Sequence, residues 1–171
     1  MRKAKEIIGL PVIDLRSGKQ LGTVKDLVMG GDWEAVSLLL ETKTWFTAPR
    51  CIRWEDAYSI GEDAVTVDGG QAVTECSDSD EAIFLLEGRR KLSGLPVITV
   101  NGVQLGLTED VYFPEELDKR IIGFELTDGF LSDITEGRKW LPLPGKAVMG
   151  EDCILVPVQC QLEVKPLTKQ E

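Results

Sequence analysis

The chain states one pattern twice. Gly9-Leu10-Pro11-Val12-Ile13 returns as Gly94-Leu95-Pro96-Val97-Ile98, Leu21-Gly22 as Leu105-Gly106, and Ile60-Gly61-Glu62-Asp63 as Met149-Gly150-Glu151-Asp152, at offsets of 85, 84 and 89 residues in unchanged order. An internal repeat constrains architecture before any single residue is interpreted, because each copy must be the same supersecondary unit. Modules of roughly 70 to 80 residues lie near the lower size at which one core is stable alone, so the two copies are expected to lean on each other.

The chemistry available to such modules is narrow. The 171 residues contain no histidine, which removes Ser-His and Cys-His nucleophiles. Cys51, Cys76, Cys153 and Cys160 form no CxxC pair, so zinc ligation of the usual spacing is absent and no cofactor is expected. Cys153 occupies the repeat position of Ala64, a place for a small buried strand residue. The net charge of -10 is not interrupted by a basic segment, which argues against direct nucleic-acid binding. Solubility is the plain reading of the acidic excess, and a basic protein partner the sharper one. No apolar run approaches the ~20 residues that cross a bilayer, and Met1 to Glu6 is too interrupted for a secretory signal, so the chain reads as cytoplasmic and without a membrane.

Alternating apolar residues and turn formers divide the first copy into short strands. Ile7 to Leu15, Leu21 to Met29, Ala35 to Glu41, Cys51 to Trp54 and Ala64 to Val67 qualify, and Trp45-Phe46 is a weaker start of another. In the second copy Asn101-Gly102 predicts a type I′ hairpin. Ile122, Phe124 and Leu126 alternate with Gly123 and Glu125 as in a strand with one wet face, and Pro142 and Pro144 make the following strand brief or an edge. Between the copies, Ser77 to Glu81 before Ala82 to Gly88 predicts an acidic N-cap and a short helix. After Pro157 the alternation of Val158, Cys160, Leu162 and Val164 predicts a further strand, one placed to cross to the first module. The expected fold is all-β: two tandem small β-barrels of about six short strands each, over 1–72 and 91–171, joined by an acidic linker, 73–90, with a short helix.

Gly94-Leu95-Pro96-Val97, Leu105-Gly106 with Glu109-Asp110-Val111-Tyr112-Phe113, Ile122 to Gly129, Gly137-Arg138 and Leu141-Pro142 resemble the PRC-barrel family. The likeness covers 5–70 and 91–157; the first copy departs between Glu41 and Arg50, where Thr44-Trp45-Phe46-Thr47 replaces a small glycine turn. The resemblance implies barrels used as adaptors, as in part of a photosynthetic reaction-centre subunit and half of a ribosome maturation factor, with no shared catalytic residues. Fold does not deliver function here.

The leading expectation is therefore a non-enzymatic adaptor or scaffold that docks a protein. Trp45, Phe46, Trp33 and Trp140 are the candidate contacts, since aromatic residues concentrate at interface hot spots. Trp54 matches Leu143 in the repeat and reads as core; Trp45 and Phe46 have no counterpart. An RNA- or ribosome-associated role would rest on Lys43, Arg50 and Arg53, and an enzyme on Asp128, Asp133, Glu136 and Arg138. A homodimer through exposed edge strands is also open.

Overall fold

The structure is a computed structural model that describes all residues except Trp45, 78–81, Leu117 and 168–171, with Phe130, Leu131 and Ser132 described by backbone alone. In chain order the strands are β1 (Arg2–Lys3), β2 (Pro11–Asp14), β3 (Gln20–Met29), β4 (Ala35–Leu40), β5 (Arg50–Arg53), β6 (Ala57–Ile60), β7 (Val65–Val67), β8 (Val73–Glu75) and β9 (Ile83–Phe84). The second half continues with β10 (Pro96–Thr99), β11 (Gln104–Phe113), β12 (Gly123–Thr127), helix α1 (Phe130–Thr135), β13 (Lys139–Pro142), β14 (Val148–Met149), β15 (Ile154–Val156), helix α2 (Cys160–Glu163) and β16 (Lys165–Pro166).

Two curled sheets result, and their strand orders are the same. The first runs β6-β7-β2-β3-β4-β5-β8 and the second β14-β15-β10-β11-β12-β13-β16. Each begins with a hairpin that is clasped by a parallel strand, Val12 beside Val65 and Val97 beside Ile154. The alternation in β2 and β10 turns Val12 and Val97 fully inward, as a period of two on a half-buried strand requires. The all-β, two-barrel architecture is thus as the repeat implied.

The long strands carry the key irregularity. β3 shifts register against β4 between Val24 and Asp26, and β11 shifts against β12 between Thr108 and Asp110. A bulge inserts one residue and re-aims the neighbouring side chains. Here it turns the carboxylates of Asp26 and Asp110 into the protein, where both are buried.

Several expectations require correction. The described part of the linker is extended, not helical: Ile83–Phe84 pairs with β3, and the expected acidic cap at 78–81 lies outside the described residues. Paired strand geometry wins because Ile83 and Leu85 are buried against the first barrel, which offers more apolar contact than one isolated turn of helix. After Pro157 the chain makes α2, and among the described residues only Lys165–Pro166 is a strand; it pairs with β13 of its own barrel and does not cross. Phe46 lies in a turn, not a strand. Cys153 is half-buried just outside β15, so it does not fill a strand position. Asn101 keeps a negative φ and only Gly102 is left-handed (φ 85°), so the hairpin is not type I′. A disulfide that cysteine spacing did not reveal joins Cys51 to Cys76, on antiparallel neighbours β5 and the end of β8. No helix among the described residues is long and apolar enough to cross a membrane.

Candidate functional site at the seam and the surfaces it leaves

The elements that cross between barrels are the two short arms that precede them. β1, ahead of the first barrel, pairs with β11 of the second; β9, ahead of the second, pairs with β3 of the first. The registers are equivalent: Arg2 and Lys3 face Phe113 and Tyr112, as Ile83 and Phe84 face Met29 and Val28. Each arm then delivers backbone N–H groups to the bulged carboxylate of the other half. Lys5 N donates to Asp110 (3.2 and 3.3 Å), while Leu86 N (3.1 and 3.3 Å) and Glu87 N (2.9 Å) donate to Asp26. Burial makes these charges costly, and the donated bonds are their compensation. Desolvation still dominates: it raises the Asp110 pKa to about 7, and it raises that of Asp26 as well.

Around the same seam the two β-turns after β3 and β11 meet. Ala35 N donates to Lys119 O (2.7 Å), Ile121 N to Trp33 O (3.1 Å), and Lys119 pairs with Glu34 at 2.9 Å. Trp33, expected at an interface with a partner, is buried here: its ring stands edge-on to Phe124 at 5.1 Å and its Nε1 donates to Ala147 O. It holds φ at 67°, a left-handed conformation that costs a non-glycine residue about 1 to 2 kcal/mol and that this packing sustains. Trp54 stacks on Phe113 across the seam at 5.0 Å, so it is core, but of the junction between barrels. Trp140 is half-buried, edge-on to Tyr112 at 5.1 Å, and lies over Gly123, where any Cβ would collide with its indole. Phe46 remains 80% exposed, and Trp45 lies outside the described residues.

The second barrel contains a buried charge network that period-two reading of β12 missed. Glu125, expected on a wet face, is 1% exposed: β11 and β13 flank it, and the Lys3 side chain of the first arm reaches over to it. It accepts from Arg138 Nη1 (2.9 Å) and Tyr112 Oη (3.0 Å) and pairs with Lys3 Nζ at 3.2 Å. Desolvation pushes its carboxyl up, yet the bonds from Arg138, Tyr112 and Lys3 outweigh it and leave the pKa below the ordinary range. Burial and the adjacent Glu125 charge hold the Tyr112 phenol protonated far above its usual range. At the equivalent places of the first barrel stand Phe84, Val28 and Leu39, an apolar trio in the same geometry. One copy solves the contact with oil, the other with charge.

This network absorbs one of the carboxylates considered for catalysis, Asp133, and leaves the other two apart. Arg138 contacts Asp133 (3.3 Å), Glu109 (3.5 Å) and Glu125, while Asp133 also accepts from Thr127 Oγ1 at 2.6 Å. Asp128 pairs with Lys139, and Glu136 is exposed without being brought into the group. The three cations considered for RNA are not assembled either: Arg53 pairs with Asp56 (2.8 Å), Arg50 donates to Val73 O, and Lys43 is exposed in the loop region before β5. Asp26 and Asp110 were legible only as one repeat position, 84 residues apart.

Comparison with known proteins agrees with this geometry. The PRC-barrel domain matches residues 1–73 and 86–159. An uncharacterized protein of Bacillus subtilis (strain 168), YrrD, is 29% identical over 142 residues, covering 81% of this chain and 77% of that protein. With both halves matched and both built on one strand order, the chain belongs to the PRC-barrel family and carries its domain twice.

Proposed function

We propose that this chain is a non-enzymatic adaptor whose fused pair of barrels docks a protein partner through the surface around Phe46. The observation that carries the reading is the division of labour among the aromatic residues. Trp33 and Trp54 are consumed by the seam and Trp140 by Tyr112 and Gly123, whereas Phe46 presents a large apolar ring to solvent in the segment where the two copies differ most. Exposed aromatic rings bury large area at low entropic cost, which is why they anchor interfaces. The acid and base groups of the second barrel neutralise one another in ion pairs, an arrangement suited to holding shape. The acidic surface supports a protein in preference to RNA.

The test is an affinity capture from host lysate with wild type beside Phe46→Ser, each with and without RNase. A protein kept by wild type, lost by the variant and indifferent to RNase fits the adaptor; ribosomal material lost on RNase treatment transfers the role to RNA. As location we propose the cytoplasm, and thiol trapping in cells tests it. Cys51 and Cys76 trapped as thiols fit that compartment, and full oxidation assigns the chain to an oxidising one.

A further inference from the structure

We propose that the outer face of β14, β15 and β10 in the second barrel is a self-association surface that seats a second copy of this chain. The repeat supplies an internal control. Across this face Val148 lies beside Leu155, Leu155 beside Ile98, and Ile98 beside Gln104. The equivalent row of the first barrel is Ser59, Thr66, Ile13 and Gln20. Val148 is 57% exposed and Leu155 37%, so the second barrel shows apolar side chains to water where the first, at equivalent strand positions, shows hydroxyls. At the end of the hairpin Val103 replaces Lys19, each giving its carbonyl to the strand opposite, and Val100 stays apolar like Leu15. Barrel packing does not demand these residues, since the first copy folds the same way without them. An unforced apolar row on an exposed sheet marks a contact.

Charge selects the occupant. No charged residue occurs from Leu92 to Thr108 or from Cys153 to Leu162, and the parallel pairing of β10 with β15 brings those two stretches together. The first barrel carries Asp14, Arg16, Lys19 and Asp68 in the corresponding stretches, with Arg16 and Asp68 paired at 3.0 Å. A phosphate-bearing or basic partner would find no counter-charge on this row. Two copies at -10 each repel least through such an uncharged row, with Glu151 and Asp152 confined to the β14–β15 turn at its edge. Its polar groups are amides, Asn101, Gln104 and Gln161, and Asn101 reaches Gln161 at 3.5 Å. An amide donates and accepts, so it can pair with its own copy across a two-fold axis as the contact of two identical patches requires.

The test is sedimentation velocity of the full chain from about 1 to 100 μM at low and high salt. Wild type, Leu155→Thr with Val148→Ser, Thr66→Asp and Phe46→Ser are compared, and each is checked for a native melt. The double variant installs the residues that the first barrel already tolerates. Expected is a reversible dimer that tightens with salt, because screening removes repulsion and leaves the apolar contact. The double variant should weaken it by about tenfold or more, with Thr66→Asp and Phe46→Ser unchanged. A wild type that stays monomeric throughout, or a dimer indifferent to the double variant, or one lost equally with Thr66→Asp, overturns the proposal. Because Phe46 is not on this face, failure here leaves the adaptor reading standing.

Discussion

Removing the Asp26 carboxylate should release the second arm before it unfolds the barrel. Asp26 accepts from Leu27 N (2.8 Å), Leu86 N and Glu87 N, so Asp26→Ala leaves three amides without their acceptor. A buried orphan costs about 1 to 3 kcal/mol, and Leu86 and Glu87, at the border of solvent, recover part of that from water. Relief of a desolvated charge returns another part. The net loss is about 3 kcal/mol, or roughly 6 to 12 °C in melting temperature for a chain of this size. Asp110→Ala orphans only Val111 N and Lys5 N and should cost about 2 kcal/mol. Thermal melts measure the totals, and amide hydrogen exchange locates them: Leu86 and Glu87 should lose protection in the first variant, Lys5 in the second. Losses under about 0.5 kcal/mol, or exchange that rises evenly over both barrels, would refute the view that these carboxylates hold the arms.

The same seam makes stability depend on pH in two directions. Asp110 has a folded pKa near 7 against 3.8 unfolded, so its contribution is full below about pH 4 and is lost as pH rises through 7; Asp110→Asn should flatten that limb in denaturant titrations across pH. Glu125 is shifted down, so its contribution is present above its unfolded value of 4.5 and lost as pH falls through the folded one. Glu125→Gln should blunt the acid limb, and Glu125→Ala, which takes the acceptor from the buried Tyr112 hydroxyl and one partner each from Arg138 and Lys3, should cost about 1 to 3 kcal/mol by urea unfolding. Cys51→Ser should cost about 3.5 kcal/mol more under oxidising conditions than in reductant for a bridge of sequence separation 25, read from paired melts.

The features legible in the sequence were those inside the repeat. The hairpins, the strand sequence and the duplicated barrel emerge from strings that recur at nearly constant offset, because the same residues face the same core twice. The contacts between barrels were not legible, for a physical reason. Period-two alternation tells that Glu125 points away from its own core, but not that Lys3 and Arg138 wait on the other side. Nor does composition separate an aromatic that meets a partner from one that meets a sister barrel, so Trp33 read as an interface residue in the right sense and for the wrong interface. The linker misled because an acidic cap before an apolar run describes a helix start, while Ile83 and Phe84 had an open strand edge to join. The second arm has the same function as residues 2–6, but its sequence, Ile83 to Glu87, shares little with theirs except the final glutamate.

The crossed arms also set an order of events on the ribosome. Lys5 emerges 105 residues ahead of its acceptor, Asp110. The first barrel can acquire its hairpin and its Val12–Val65 clasp early, but β1 lacks its β11 partner until the second barrel is being made. Long-range closure of this kind slows the final step relative to local pairing. For that interval the nascent protein offers an unpaired β1 and, once β11 is made, a bare bulge to match it. Chaperones and neighbouring nascent chains would meet those two surfaces, and a late act of folding is the return of β1 to β11.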